Sequence, residues 1–174
     1  FTQFLSRAIN DRPAGDYGGP RIEDRARFLL EVIEEIQNRP TVGKDYPLIV
    51  KVTGHDRHNA AGLWPRSDGN TIADAVAVAK MVEDRGVHTL HVSTGNMFPH
   101  PLNPAGGMPV EVAKRTYQSL IASGRRTFRN YLAFRYFGWA VRWLWTRKQP
   151  FWTKGQIVPE KLEGFAAPDA AAIK

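Results

Sequence analysis

Cysteine is absent from this chain. That excludes a disulfide framework, a thiolate metal centre and a cysteine nucleophile, and it fits a cytoplasmic setting. No apolar run reaches the roughly 18 residues that a membrane-crossing helix needs. The start carries no basic-then-apolar leader pattern. Phosphate-cradling glycine loops of the GxGxxG or GxxxxGK[ST] kind are missing, as are a G-x-S-x-G elbow and an H-E-x-x-H helix. Dinucleotide binding by a Rossmann fingerprint, serine hydrolysis and zinc proteolysis therefore have no sequence support. Acidic residues are missing from one long stretch. Between Gly124 and Lys154 stand Arg125, Arg126, Arg129, Arg135, Arg142, Arg147 and Lys148 without a single Asp or Glu. The net charge of +7 is regional, because the rest of the chain is close to neutral. A regional excess is weak support for nucleic-acid binding by the whole protein.

What is present reads as alternating helices and strands. Residues 1–21, rich in Gly, Pro, Asp and Asn, form a loop. Phe28, Leu29, Val32, Ile33 and Ile36 recur at helical spacing, which predicts a helix from Ile22 to about Asn38, ended by Pro40 and Gly43. Tyr46 to Val52 reads as a β-rich run with both faces apolar, the signature of a parallel strand covered by helices, and Lys51 interrupts it near its end. A polar loop to Asn70 follows. Thr71 with Asp74 three positions on marks the start of a helix over 72–85, which Gly86 stops. Val87 to Ser93 is the next strand. Short helix-to-strand turns and long strand-to-helix loops are the βα repeat of a parallel sheet. Such sheets carry their chemistry on the loops after the strand C-termini. An open sheet and a closed barrel give the same pattern.

Helices are also predicted over 110–123 and 127–145, then a linker over 150–164 and a helix from Pro168 onward. The 127–145 segment holds Phe128, Tyr131, Phe134, Tyr136, Trp139, Trp143 and Trp145 among its arginines, and apolar groups nearly encircle it. Three readings fit. The first is a lid or a contact with another subunit, since aromatics and Arg are enriched at buried interfaces. The second is a helix lying on a membrane surface. The third is stacking against single-stranded nucleic acid. All-round apolarity favours burial in protein, and hence a homo-oligomer or lid, over membrane contact or nucleic acid.

Candidate site residues lie after the two strands. Lys51 would point its ammonium toward the catalytic mouth of a barrel, or reach solvent at a strand edge. His55 and Asp56 form an acid–base pair or simply cap the turn, and the capping reading is favoured. Ser93 and Thr94 offer hydroxyls for a substrate, although a Ser-Thr-Gly turn is common punctuation. His55, His58 and His100 match no compact metal-ligand spacing, so no metal is expected. Arg25 and Arg27 are expected to pair with acidic neighbours at their helix start.

The opening stretch adds a resemblance. Gln3-Phe4-Leu5-Ser6, Asn10-Asp11-Arg12, Asp16-Tyr17-Gly18-Gly19 and Glu23-Asp24-Arg25-Ala26-Arg27-Phe28 resemble the loop and helix after strand 4 of the Old Yellow Enzyme (NADH:flavin oxidoreductase) family. Glu163-Gly164-Phe165 with Pro168-Asp169-Ala170 is similar to a stretch before strand 7 in one bacterial branch. Arg7 stands where Pro is usual, and two loop segments are one residue longer than the pattern. The resemblance implies an α/β fold, part of a (β/α)8 TIM barrel covering about strands 5 and 6, with a helical insertion at 109–155 inside a single FMN-binding domain at 1–174. It implies an ene-reductase type of oxidoreductase, in which NAD(P)H reduces FMN and the flavin passes hydride to a small activated alkene. Lys51 would then sit beside the pyrimidine edge of the flavin, with Ser93 and Thr94 toward the substrate. The proton donor would precede Phe1, so the isolated segment is expected to bind FMN poorly and to be inactive. The alternative from another class is a non-catalytic α/β interaction domain that docks a partner or a membrane through the basic aromatic helix at 125–147.

Overall fold

The structure is a computed structural model and describes residues 2–43, 45–56, 69–95, 109–153 and 166–174. Two strands pair in parallel. β1 (Ile49–Thr53) lies against β2 (Thr89–Ser93), with Lys51 opposite His91 and Thr53 opposite Ser93. The crossover between them contains α3 (Ile72–Glu83). Its start is the capping box expected from Thr71 and Asp74: the Asp74 carboxylate accepts from the Thr71 backbone N–H at 2.8 Å. Gly86 ends the turn after α3 at φ +78°, a conformation that suits glycine.

Before β1 comes α2 (Ile22–Gln37), close to the expected span. Its C-terminal end is clasped to that of α3. Gln37 donates to the Arg85 carbonyl at 2.8 Å, and Arg85 meets Glu34 at 2.8 Å. The chain closes with α6 (Ala167–Ile173). Residues from α2, α3 and α6 bury one face of the sheet. Leu29, Ile33, Val78, Val82 and Ile173 pack with Val50, Val52, Leu90 and Val92. The opposite face carries Ile49, Lys51, Thr89 and His91, all exposed. The strand is therefore two-sided in character, with alternate residues apolar and covered. The expected span of 46–52 shifts to 49–53, because Pro47 has no N–H to offer a ladder.

A second cluster lies in the C-terminal half. It joins α4 (Val110–Ser119), a 3-10 turn at Ile121–Ser123 and α5 (Arg125–Thr153). Tyr117 stacks on Phe134 at 5.3 Å between ring centres, and Trp145, Val141 and Ala113 complete the core. Gly138 lets the two helices approach: a Cβ there would lie 2.7 Å from Val110 Cγ1. Ala8 and Ile9 of the first loop belong to this cluster. Asp11 accepts from the Arg125 N–H at 3.0 Å, which holds the start of α5.

Four further expectations change here. Residues Thr2–Leu5 form a short helix, α1, inside the stretch read as loop. The expected helix over 110–123 breaks into α4 and the 3-10 turn. And α5 runs on through Pro150 to Thr153, with a kink at Phe137, where φ and ψ leave the helical range. Nor is α5 apolar on all sides in its packing. Thr127, Asn130, Phe134, Val141 and Trp145 face inward at helical spacing, while Phe128, Tyr136, Phe137, Trp139 and Trp143 are exposed. The remainder of the expected linker at 150–164 lies outside the described residues, as do the loop centres at 57–68 and 96–108.

Candidate functional site

The residues that carry the N-terminal pattern build a clamp. Asn10 donates through Nδ2 to the carbonyls of Phe4 and Tyr17, both at 2.7 Å. Tyr17 adopts φ +55°. Its ring lies edge-on to Phe4 and Phe28, and its hydroxyl donates to Glu31 at 2.7 Å. That bond to a carboxylate raises the Tyr17 pKa, helped by the Glu31 charge. Gly18 packs against the Arg12 carbonyl so closely that any side chain would collide. Arg25 is buried at 1% exposure. Its guanidinium donates to the carbonyls of Leu5 at 2.8 Å, Gly19 at 3.1 Å and Pro20 at 2.6 Å. It also reaches Asn70 at 3.3 Å and stands 3.8 Å from Asp74. Burial lowers its pKa from the usual guanidinium range, and the Asp74 charge opposes that shift. Arg27 donates to the Gly15 carbonyl at 3.0 Å and covers the Tyr17 ring at 4.5 Å. The expected acidic pairing is thus only part of the arginines' role; most of their donors hold loop carbonyls.

Asn70 extends the clamp to the end of β1. Its side chain donates to Leu5 at 2.9 Å and accepts from the Arg7 N–H at 3.3 Å. Its backbone exchanges with Asp56, N to O at 3.0 Å in one direction and N to Oδ2 at 3.4 Å in the other. Arg7 donates to the Gly69 carbonyl at 3.1 Å. The departure from Pro at this position therefore has its own partner.

The C-terminal ends of the strands form the mouth. The Gly54 N–H donates to Ser93 at 2.8 Å and the Gly95 N–H to His55 at 2.7 Å. His55 Nδ1 lies 2.9 Å from Asp169 Oδ1, on the first turn of α6 and 114 residues away in sequence. A carboxylate can only accept here, so His55 Nδ1 carries the hydrogen of this contact. The other Asp169 oxygen is buried without a hydrogen-bond partner among the described residues, packed against Gly54, where a Cβ would clash. Asp56 is buried and spends its carboxylate on the Asn70 backbone, so the capping reading describes it better than an acid–base pair with His55. The sequence reading missed Asp169 as the partner of His55. The Pro168-Asp169 helix start was visible, but nothing in the spacing linked it to β1.

Along the free edge of β1 runs a groove of about 660 Å³. One part is apolar, with Leu29, Ile33, Ile36 and Leu48; the other is polar, with Thr53, Asn70, Ser93 and Thr94. Lys51 also lines this groove and is exposed. The Ser93 hydroxyl donates to the Val52 carbonyl at 3.3 Å, a structural bond. The Thr94 hydroxyl is buried with no hydrogen-bond partner among the described residues. So Lys51, Ser93 and Thr94 share one groove, while His58 and His100 lie outside the described residues. Among the described residues no group of His, Asp or Glu is arranged to hold a metal ion. None of the described helices is long and apolar enough to cross a membrane.

Comparison with known proteins gives a partial likeness. Over 93 residues the chain is 39% identical to an NADH oxidase of Thermoanaerobacter brockii. Those residues are 53% of this chain but 12% of that protein, so the chain spans a small part of its relative's length. No family model matches the chain. No solved structure matches it either.

Proposed function

We propose that this chain is an internal section of an FMN-dependent oxidoreductase of the ene-reductase type. Its parallel β1-α3-β2 unit would be one repeat of a (β/α)8 barrel, with α2, α3 and α6 on the outside. The likeness to an NADH oxidase supports a redox role. The observation that carries the finer reading is Lys51, a cation on a rigid strand, exposed on the wall of a groove whose other walls are apolar at one end and hydroxyl-bearing at the other. That mixture suits a flat ring system with one polar edge. The unpartnered Thr94 hydroxyl is a buried polar atom that a bound group would satisfy.

FMN, when bound, supplies the two-electron chemistry, taking hydride from NAD(P)H and giving it to an activated alkene. The chain's own part is electrostatic. The Lys51 ammonium favours negative charge on the edge of the ring that it faces, which raises the reduction potential. Thr94 and Ser93 would bound the substrate side. His55, held through Nδ1 by Asp169, keeps its ring in one orientation at the same mouth.

Lys51→Met in the full-length protein tests this. FMN retention should weaken about tenfold, the scale of one charge-assisted contact, and the midpoint potential and turnover should fall with it. Unchanged retention, potential and turnover would refute the Lys51 role. A full-length protein that never carries flavin would favour the non-catalytic interaction domain instead.

A further inference from the structure

On its outward side, α5 presents a stripe that the protein core does not use. Phe128, Leu132, Tyr136, Trp139 and Trp143 follow one another at helical steps of four, four, three and four residues. Phe128 is 48% exposed, Tyr136 62%, Trp139 75% and Trp143 56%. Phe137, at the kink, is 60% exposed. The stripe from Phe128 to Trp143 is about 22 Å long at helical rise. Arginines border it on both sides. A helical projection puts Arg135 and Arg142 along one margin and Arg129 and Arg147 along the other, and all four are exposed. Arg147 covers the Trp143 ring at 4.7 Å, and Arg135 stands 5.8 Å from that of Tyr136. From 112 to 159 the chain has no acidic residue. Among the described residues, the carboxylates beside α5 are already engaged: Glu111 by Lys114, which holds its pKa low, and Asp11 by the Arg125 N–H.

We propose that this face seats the protein on an anionic phospholipid surface, with α5 lying in the plane of the headgroups. The geometry is that of an interfacial helix. Large amphipathic rings occupy the level between acyl chain and headgroup, and arginines at the margins reach outward to phosphates. The charge decides between occupants. A second copy docked on the same face would set arginine rims against each other with no unengaged carboxylate among the described residues between them, a like-charge contact that costs affinity. A sheet of lipid phosphates supplies the missing negative charge along both margins. The helix is too short of apolar length to cross the bilayer, so the contact is superficial. None of this depends on the flavin reading.

The test is flotation of the full-length protein with vesicles of pure phosphatidylcholine and of phosphatidylcholine containing about one third phosphatidylglycerol. Binding should be confined to the anionic vesicles and should weaken as salt is raised. Trp139→Ala with Trp143→Ala should reduce it at least tenfold. Arg135→Gln with Arg142→Gln should reduce it about thirtyfold, near fivefold for each charge. Far-UV circular dichroism should be unchanged in both, since these side chains stand outside the core. Equal binding to neutral vesicles, or binding that survives both double variants, would overturn the proposal. So would binding to single-stranded RNA without binding to vesicles. So too would a Trp139/Trp143 variant that turns an oligomer into a monomer while vesicle binding is absent in the parent protein.

Discussion

The sheet unit and the α4–α5 unit order themselves by different means. Around β1 and β2 a buried polar network works beside the apolar core to fix the elements. Arg25 and Asn70 alone join the first loop, α2, the end of β1 and the start of α3. In the α4–α5 unit few polar bonds cross between elements. Shape does the work there: Tyr117 on Phe134, Trp145 beneath, and Gly138 against Val110. A polar network tolerates an irregular loop, because each carbonyl finds a directed donor. A packed pair of helices tolerates polar change on its outside but not volume change within. The two units should therefore fail in opposite ways.

The largest effect is expected in the network. Arg25→Ala removes the donor for three loop carbonyls and leaves Asp74 without its buried partner. The loss should be about 3–5 kcal/mol, read from urea unfolding of the full-length protein. Arg25→Lys should recover less than half of it, because one ammonium cannot span carbonyls on both sides. A loss below about 1 kcal/mol would mean that water replaces the guanidinium and that the network is not what orders the loop.

A smaller effect tests packing. Gly138→Ala gains roughly 1 kcal/mol of helix propensity. The new methyl would meet Val110 Cγ1 at 2.7 Å, which forces the helices apart. A net loss of about 1–2 kcal/mol is expected. With Val110→Ala in the background the sign should reverse, since the space is then open. Stabilisation by Gly138→Ala alone would show that the two helices do not pack this closely.

How much of this was legible in the sequence follows from the same contrast. Periodicity located α2 and α3, and short β-rich runs located both strands to within a few residues; the reading of the first strand as apolar and covered on both faces fails, because Ile49 and Lys51 are exposed. The capping box was readable because its two partners are three residues apart. Long-range polar pairing was not readable. Nothing in the spacing tells Arg25 to reach back to Leu5, or His55 to find Asp169 across 114 residues. The N-terminal pattern carried the family resemblance. In the structure Asn10, Tyr17, Gly18 and Arg25 are its scaffold, and the groove beside Lys51 borders it. The α5 segment misled in a different way. Aromatics on every side suggested burial, whereas the core takes only Phe134, Trp145 and their neighbours, and the remaining rings face outward.

The smallest effect is a pH dependence confined to the α4–α5 unit. Burial raises the Tyr117 pKa well above its ordinary 10.0, and a hydrogen bond from Asn130 offsets little of that. The sign follows from proton counting. Above pH 10 an unfolded Tyr117 releases its proton while the folded one keeps it. The folded state then binds more protons, so stability falls as pH rises. The contribution is complete below pH 10 and drains away above it, by at most about 1.4 kcal/mol per pH unit. The parent protein alone cannot isolate the effect. Tyr117→Phe can. Its stability relative to the parent should be constant from pH 7 to 9 and should improve as pH passes 10. Near-UV circular dichroism should report the same crossover, because the Tyr117–Phe134 stack is its local source. If the difference between the two proteins stays flat through pH 11, Tyr117 ionises in place. The interior of the helical unit would then admit water, in contrast to the dry packing that its close helix contact requires.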